Sequence, residues 1–299
     1  MGTPQYAKAC LQRLVEEGFE IAGVYTKIDT PKNRGHKLAM SEVKEYALSV
    51  GLPVFQPTTF RDDAVVDELR ALCPDLIVTA AYGKILPQRV LDIPKLGCIN
   101  LHGSILPALR GPAPVQWSIL NHDKEAGVTA MFMSAGMDEG DIIEIRKTPI
   151  DPEETAGALM ERLADIAAGL CVDTVRAIEA GAATRTPQNA EKATYAPMLT
   201  KALSPIDWAK TASEISDQVR GLLPWPAATM TLSGGTFKVY RVEKAEGSTE
   251  AAPGTVLGLT KKGLQLACGN GEIVTVRELQ AEGGKRMAAP DYFRGHPLA

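Results

Sequence analysis

Gly97-Cys98-Ile99-Asn100-Leu101-His102-Gly103-Ser104-Ile105-Leu106-Pro107 is the stretch on which the reading of the fold turns. A short apolar run carries two polar residues two positions apart and stops at a glycine. That is the pattern of a buried strand whose last side chains emerge at the end of a sheet. Alternate residues of a strand share a face, so Asn100 and His102 project to the same side. Open α/β sheets bind their ligands at such strand ends. An Asn amide can donate to a developing oxyanion, and a His can donate, accept or exchange a proton near neutral pH. A histidine kept only to satisfy a strand end would look the same.

Outward from this strand, short apolar runs at Glu20–Thr26, Asp75–Ala81, Val128–Ser134 and Asp141–Ile150 read as further strands. Helical spacing marks Tyr6–Glu17, Ser41–Val50, Asp62–Leu72, Ala113–Leu120 and Thr155–Ala180. The alternation predicts an α/β, Rossmann-like domain with a mostly parallel sheet over residues 1–182. Gly2-Thr3-Pro4 reads as the turn after a first strand of which only Met1 is present, so a strand upstream of Met1 is expected. Residues 183–206, with Pro187, Pro197 and Pro205, read as a linker. From 207 to 299 one helix, Ala212–Leu222, precedes glycine-punctuated β segments at Phe237–Val242, Gly254–Leu259, Leu264–Ala267 and Ile273–Leu279, which predict a small C-terminal β-barrel domain.

Composition narrows the function classes. Hydrophobic residues make up 45% of the 299, enough for sizeable cores in both parts. The five cysteines include no Cys-x-x-Cys pair or Cys/His cluster, which predicts buried thiols and no zinc site. Met1–Leu14 lacks a secretory pattern, and no run reaches the roughly 18 apolar residues of a membrane span, so a cytoplasmic protein is expected. A net charge of −4 argues against whole-surface attraction to nucleic acid. From Asp207 onward, 11 Lys and Arg stand against 10 Asp and Glu, so a local basic face is still open there. No heptads are present, and a monomer is expected.

A second polar cluster, Gly136-Met137-Asp138-Glu139-Gly140-Asp141, follows the strand that begins near Val128. Its glycines permit a tight turn and a close approach to a ligand, and Asp138 is a candidate proton-transfer group, although an ordinary polar turn has the same composition. Taken together with Ala81-Tyr82-Gly83-Lys84-Ile85-Leu86-Pro87, the Asn100-x-His102-x-Ser104-Ile105-Leu106-Pro107 and Gly136-Met137-Asp138-Glu139-Gly140-Asp141 motifs resemble the folate-dependent formyltransferases. The combination is far more specific than either half, and the likeness runs from Gly2 to the C-terminus. The resemblance implies that Asn100, His102 and Asp138 are catalytic. It implies too that Ser104, Ile105, Leu106 and Pro107 lie along the folate site, and that 10-formyltetrahydrofolate is the co-substrate, with no metal. Ile105 stands where the family more often has Leu.

Within that family, three features match the branch whose formyl acceptor is initiator methionyl-tRNA and whose C-terminal domain is an OB-like barrel. The first is Asp29–Leu38, resembling an inserted loop that meets the acceptor end of the tRNA. Arg34 and Lys37 are its candidate tRNA-binding residues, as cations placed to meet phosphates. The others are Ile206-Asp207-Trp208 and Leu223-Pro224-Trp225-Pro226, which buried Trp packing would also explain. Lys238, Arg241, Lys244, Lys261, Lys262, Lys285 and Arg286 are candidates for a basic face. Competing readings are a formyl transferase or hydrolase acting on a small amine or on water, and a non-catalytic RNA- or folate-binding protein.

Overall fold

The computed structural model describes residues 1–32 and 37–297. The chain divides into two compact units. Unit 1 comprises Met1–Pro114, Glu125–Pro149 and Met160–Pro197; unit 2 comprises Val115–Lys124, Ile150–Leu159 and Met198–Ala299. The Pro-containing stretch 183–206 is therefore divided, with its first part, as far as Pro197, counted in unit 1.

In chain order the elements as far as the sixth strand are α1 (Gln5–Glu16), β1 (Val24–Tyr25), the hairpin β2 (Thr30–Lys32) and β3 (Lys37–Ala39), α2 (Glu42–Ser49), β4 (Val54–Phe55), α3 (Asp63–Ala71), β5 (Ile77–Thr79), α4 (Gln88–Leu91) and β6 (Cys98–His102). They are followed by α5 (Pro114–Leu120), β7 (Glu125–Phe132), β8 (Ile142–Pro149) and α6 (Ala156–Glu179). Two helices start at side-chain caps: the Ser41 hydroxyl accepts from Lys44 N at α2, and Asp62 accepts from Ala64 N at α3. The α1 apolar spacing buries Tyr6, Ala7, Cys10 and Leu14.

Strand β6 is an interior strand of the four-stranded sheet β5-β6-β7-β8. It pairs in parallel with β5, Thr79 opposite Asn100, and antiparallel with β7, His102 opposite Thr129. Strand β7 continues antiparallel into β8. On the other side, β1 and β4 pair in parallel, and Met1–Gly2 lies between β1 and β5: Gly2 N donates to Tyr25 O at 2.9 Å, and Gly2 bridges Ala80. A strand extends only as far as it has a neighbour to pair with. The strands expected at Glu20–Thr26 and Asp75–Ala81 are shorter in the structure, Val24–Tyr25 and Ile77–Thr79. A cavity of about 450 Å³, lined in part by Leu14, Val24, Leu72 and Ile77, lies alongside Met1 and Gly2.

Unit 2 has α7 (Ala212–Gly221) and the strands β9 (Ala228–Leu232), β10 (Gly235–Lys244), β11 (Val256–Leu259), β12 (Leu264–Ala267), β13 (Ile273–Ala281) and β14 (Met287–Ala288), and ends in α8 (Ala289–Gly295). The antiparallel sheet runs β11-β12-β13-β10-β9, with β14 on β13. Register shifts in β10 near Arg241 help it curl into a half-barrel. Its inner face packs Phe237, Val239, Leu264, Val276 and Leu279 against Ile215 and Val219 of α7. A capping box, Thr211 with Glu214, starts that helix.

Two expectations from the sequence change. Trp225 is 54% exposed rather than buried, whereas Trp208 does pack on the unit 2 core. Cys73 is exposed, while the other four thiols are buried; burial pushes the Cys98 thiol up to about 12. Among the described residues no helix is long and apolar enough to cross a membrane.

Candidate active site

The end of β6 delivers Asn100 and His102 to one side, and the turn after β7 brings Asp138 to meet them. Asn100 Nδ2 lies 3.5 Å from Asp138 Oδ1, and His102 Nδ1 lies 3.6 Å from Asp138 Oδ2. The same Oδ2 accepts from Gly111 N at 2.9 Å. The three residues singled out in the sequence are thus in one place. An ionised carboxylate only accepts hydrogen bonds; the Asn100 amide and the Gly111 N–H can donate to it, and His102 Nδ1 can do so when the ring is protonated.

Each member is held from behind. Thr79 Oγ1, 2.9 Å from Asn100 Oδ1, sets the amide orientation: the flipped amide would turn its oxygen toward the Asp138 carboxylate. His102, 6% exposed, places Nε2 at 2.9 Å from Leu109 O. A carbonyl oxygen can only accept, so Nε2 carries a proton and Nδ1 is the nitrogen turned to Asp138. Asp138 sits at φ 52°, the left-handed region that Asp tolerates better than most residues, and its side chain is 17% exposed.

Two glycines are required by the site. At Gly111, φ is 108° and an added Cβ would lie 2.5 Å from the Tyr195 ring. At Gly140 an added Cβ would lie 1.7 Å from Phe132 O. Both loops therefore approach their neighbours more closely than any side chain permits.

In the segment read as lining a folate site, Ser104 and Leu106 are buried and Ile105 and Pro107 are half-buried. The Ser104 hydroxyl donates to Ala108 O at 2.7 Å and so closes the turn rather than facing outward, while Thr129 Oγ1 ties Ser104 O and Leu106 N to β7. What this segment can offer a flat heterocycle is its backbone and the partly open Ile105 and Pro107. Arg34 lies outside the described residues, and of Lys37 only the backbone, in β3, is described.

Sequence reasoning passed over Thr79, Arg110, Gly111 and the segment 188–196. The last is pinned to the loop after β6: Arg110 N donates to Thr194 O at 2.9 Å, Ala196 N to Arg110 O at 2.7 Å, and Leu109 N to the Thr194 hydroxyl at 2.8 Å. Nothing in the sequence marked the later segment.

Residues 1–175 match the family model for formyl transferase, and residues 198–297 match that for the formyl transferase C-terminal domain. An α/β unit with this strand-end Asn, His and Asp, together with a curled antiparallel C-terminal sheet, places the chain in the class of two-part formyl transferases. A methionyl-tRNA formyltransferase of Alkaliphilus oremlandii is 43% identical over 298 residues, spanning 100% of this chain and 96% of that protein, and one of Acetivibrio thermocellus is 44% identical over 299, spanning 100% and 96%. The chain belongs to the methionyl-tRNA formyltransferase family. Among solved structures, the sugar 3N-formyl transferase WlaRD, crystallised in the presence of dTDP and 5-N-formyl-THF, shares the fold with a TM-score of 0.69 at 20% identity, over 94% of this chain and 95% of that one.

Proposed function

We propose that this enzyme transfers the formyl group of a folate donor, 10-formyltetrahydrofolate, to the α-amino group of initiator methionyl-tRNA for translation initiation. The observation that carries the reading is the convergence of Asn100 Nδ2 and His102 Nδ1 on Asp138, both within 3.6 Å, in a chain related over its whole length to methionyl-tRNA formyltransferases.

Asn100 Nδ2 and, when His102 is protonated, its Nδ1–H are the donors for the oxygen that gains charge as the amine adds to the formyl carbon. Their separations from Asp138 are long for hydrogen bonds, so both can turn to a substrate oxygen without breaking a tight pair. Asp138 takes the proton that the attacking amine must lose, and its return to the folate nitrogen lets the carbon–nitrogen bond break. The products are a formamide on the methionine and a folate bearing N–H, so no proton is gained or lost overall. Gly111 N–H holds Asp138 Oδ2 and leaves Oδ1 for this traffic. Ile105 and Pro107 offer the pterin an apolar edge. Arg34 and Lys37 supply cations for the acceptor end of the tRNA.

The test is transfer of labelled formyl from 10-formyltetrahydrofolate to methionyl-tRNA, with glycinamide ribonucleotide, an amino-sugar nucleotide and water as competing acceptors. Label should pass to methionyl-tRNA alone. Preferential transfer to a small amine or release as formate would refute the acceptor assignment, and salt-sensitive tRNA binding with no transfer would refute catalysis altogether. His102→Ala should lower kcat by about 10²-fold or more with little change in folate affinity.

A further inference from the structure

We infer that Gln188 is a positioning residue of the formyl-transfer site, holding the Asp138 turn in the shape that lets one carboxylate meet Gly111, Asn100 and His102 together. The inference rests on the reading of Asp138 as the proton-transfer group.

Gln188 lies fifty residues beyond Asp138, in a stretch whose prolines and polar residues look like a solvated connection. From Thr184 to Ala190 it is nevertheless the one residue that is not exposed. Its Nε2 donates to Asp138 O at 2.9 Å and to Gly140 O at 2.8 Å, one bond on each side of Glu139. Its Oε1 accepts from Arg110 Nε at 3.1 Å and Nη2 at 2.8 Å. Both donor hydrogens and both acceptor lone pairs of the amide are used. The orientation is fixed as well, because a flipped amide would set NH₂ against a guanidinium and oxygen against two carbonyls.

The geometry closes a ring. Asp138 is held through its carboxylate by Gly111 N and through its carbonyl by Gln188, which is held by Arg110, the residue next to Gly111. Arg110 is 13% exposed on its side chain and reaches Glu139 Oε1 at 3.4 Å, so the guanidinium also secures the far side of the turn. The segment that carries Gln188 is tied to the same loop, since Thr194 and Ala196 pair with Leu109 and Arg110. Leu109 O is also the acceptor of His102 Nε2. The segment therefore sets two of the three reacting side chains.

Gln188→Glu separates positioning from simple anchoring. A Glu keeps, and strengthens, the partner for Arg110, but it removes both donors and sets an oxygen against Asp138 O and Gly140 O. The experiment measures kcat, KM for methionyl-tRNA and for 10-formyltetrahydrofolate, the pH profile of kcat and thermal melting for wild type, Gln188→Glu, Gln188→Ala and Asp138→Asn. In both Gln188 variants kcat should fall about 10²-fold, the loss that a misplacement on the scale of 1 Å brings, with a displaced pH profile and KM for methionyl-tRNA within about 2-fold of wild type. Wild-type kcat in Gln188→Glu would overturn the inference, as would a fall in kcat that only tracks lost folded protein and leaves the pH profile in place. If Asp138→Asn itself stays active, the reading of the site fails first; if it is inactive while Gln188→Glu is normal, only the role of Gln188 fails.

Discussion

The turn at Asp138 in unit 1 and the basic residues of unit 2 handle charge in opposite ways. Around Asp138, Arg110 and His102 the charged and polar groups are largely buried and hydrogen-bonded: Asp138 to Gly111 N and Gln188, Arg110 to Gln188, and His102 to Leu109 O. In unit 2 the basic residues nominated from the sequence are all exposed, and they divide into two groups. Arg241 pairs with Glu153 and Glu243, Lys244 with Glu272, and Arg286 with Glu278 while lying over the Tyr240 ring. Among the described residues, Lys238, Lys261, Lys262 and Lys285 have no carboxylate within ion-pairing distance. Fixed groups suit chemistry, in which a donor must already point at the charge that develops. Loosely held cations suit long-range attraction to a polyanion, which is salt-dependent and tolerant of geometry.

That contrast can be broken most directly at the carboxylate. Asp138→Asn should reduce kcat by about 10³-fold with a melting temperature near that of wild type; a large loss of stability instead would make the turn a structural feature. A smaller loss, about 10-fold in kcat, is expected from Gly111→Ala, whose Cβ must displace the Tyr195 ring at an unfavourable φ. Steady-state kinetics beside thermal melts would check both.

In unit 2 the same measurements should move KM rather than kcat. A Lys238→Ala and Lys262→Ala double variant should raise KM for methionyl-tRNA a few-fold and lower the slope of log affinity against log salt by about 1 for each phosphate no longer neutralised. Arg241→Ala, already neutralised by its two glutamates, should change that slope less. The smallest effect concerns Glu272, whose carboxyl is held below its usual 4.5 first by the Lys244 ammonium and then by the Ala212 N–H. A depressed folded value stabilises the protein above about pH 4.5, and that contribution fades as the pH falls through the folded value. Glu272→Gln should therefore flatten the melting temperature between pH 7 and 4 by about 1–2 °C, small because the pair faces solvent.

How much could be read in advance depended on whether a signal was local. Strand β6 was legible because apolar alternation and a terminal glycine lie within six residues, and Asn100 and His102 come with it. Asp138 was visible through the glycines that flank it. Thr79 was not, since a threonine at the end of a strand looks like any other until the register places it opposite Asn100. Nor was Gln188, for a polar residue after a proline reads as solvated until the fold brings it back to a loop some eighty residues earlier. The shortness of β1 and β5 was hidden for a related reason: strand length is set by the neighbour, and no property of Glu20–Thr26 itself reports it.

The return of residues 188–196 to the loop at 107–113 also orders events during synthesis. Strand β6 and the Asp138 turn leave the ribosome while Gln188, Thr194 and Ala196 are still inside it, so a nascent chain carries Asn100, His102 and Asp138 before the later segment can pair with their loops. Only when the chain has emerged to about Pro197 is the last piece of the site available. A gene cut after residue 182, at the boundary the sequence suggests, would encode Asn100, His102 and Asp138 without Gln188, Thr194 and Ala196, whereas a cut after Pro197 keeps both sets.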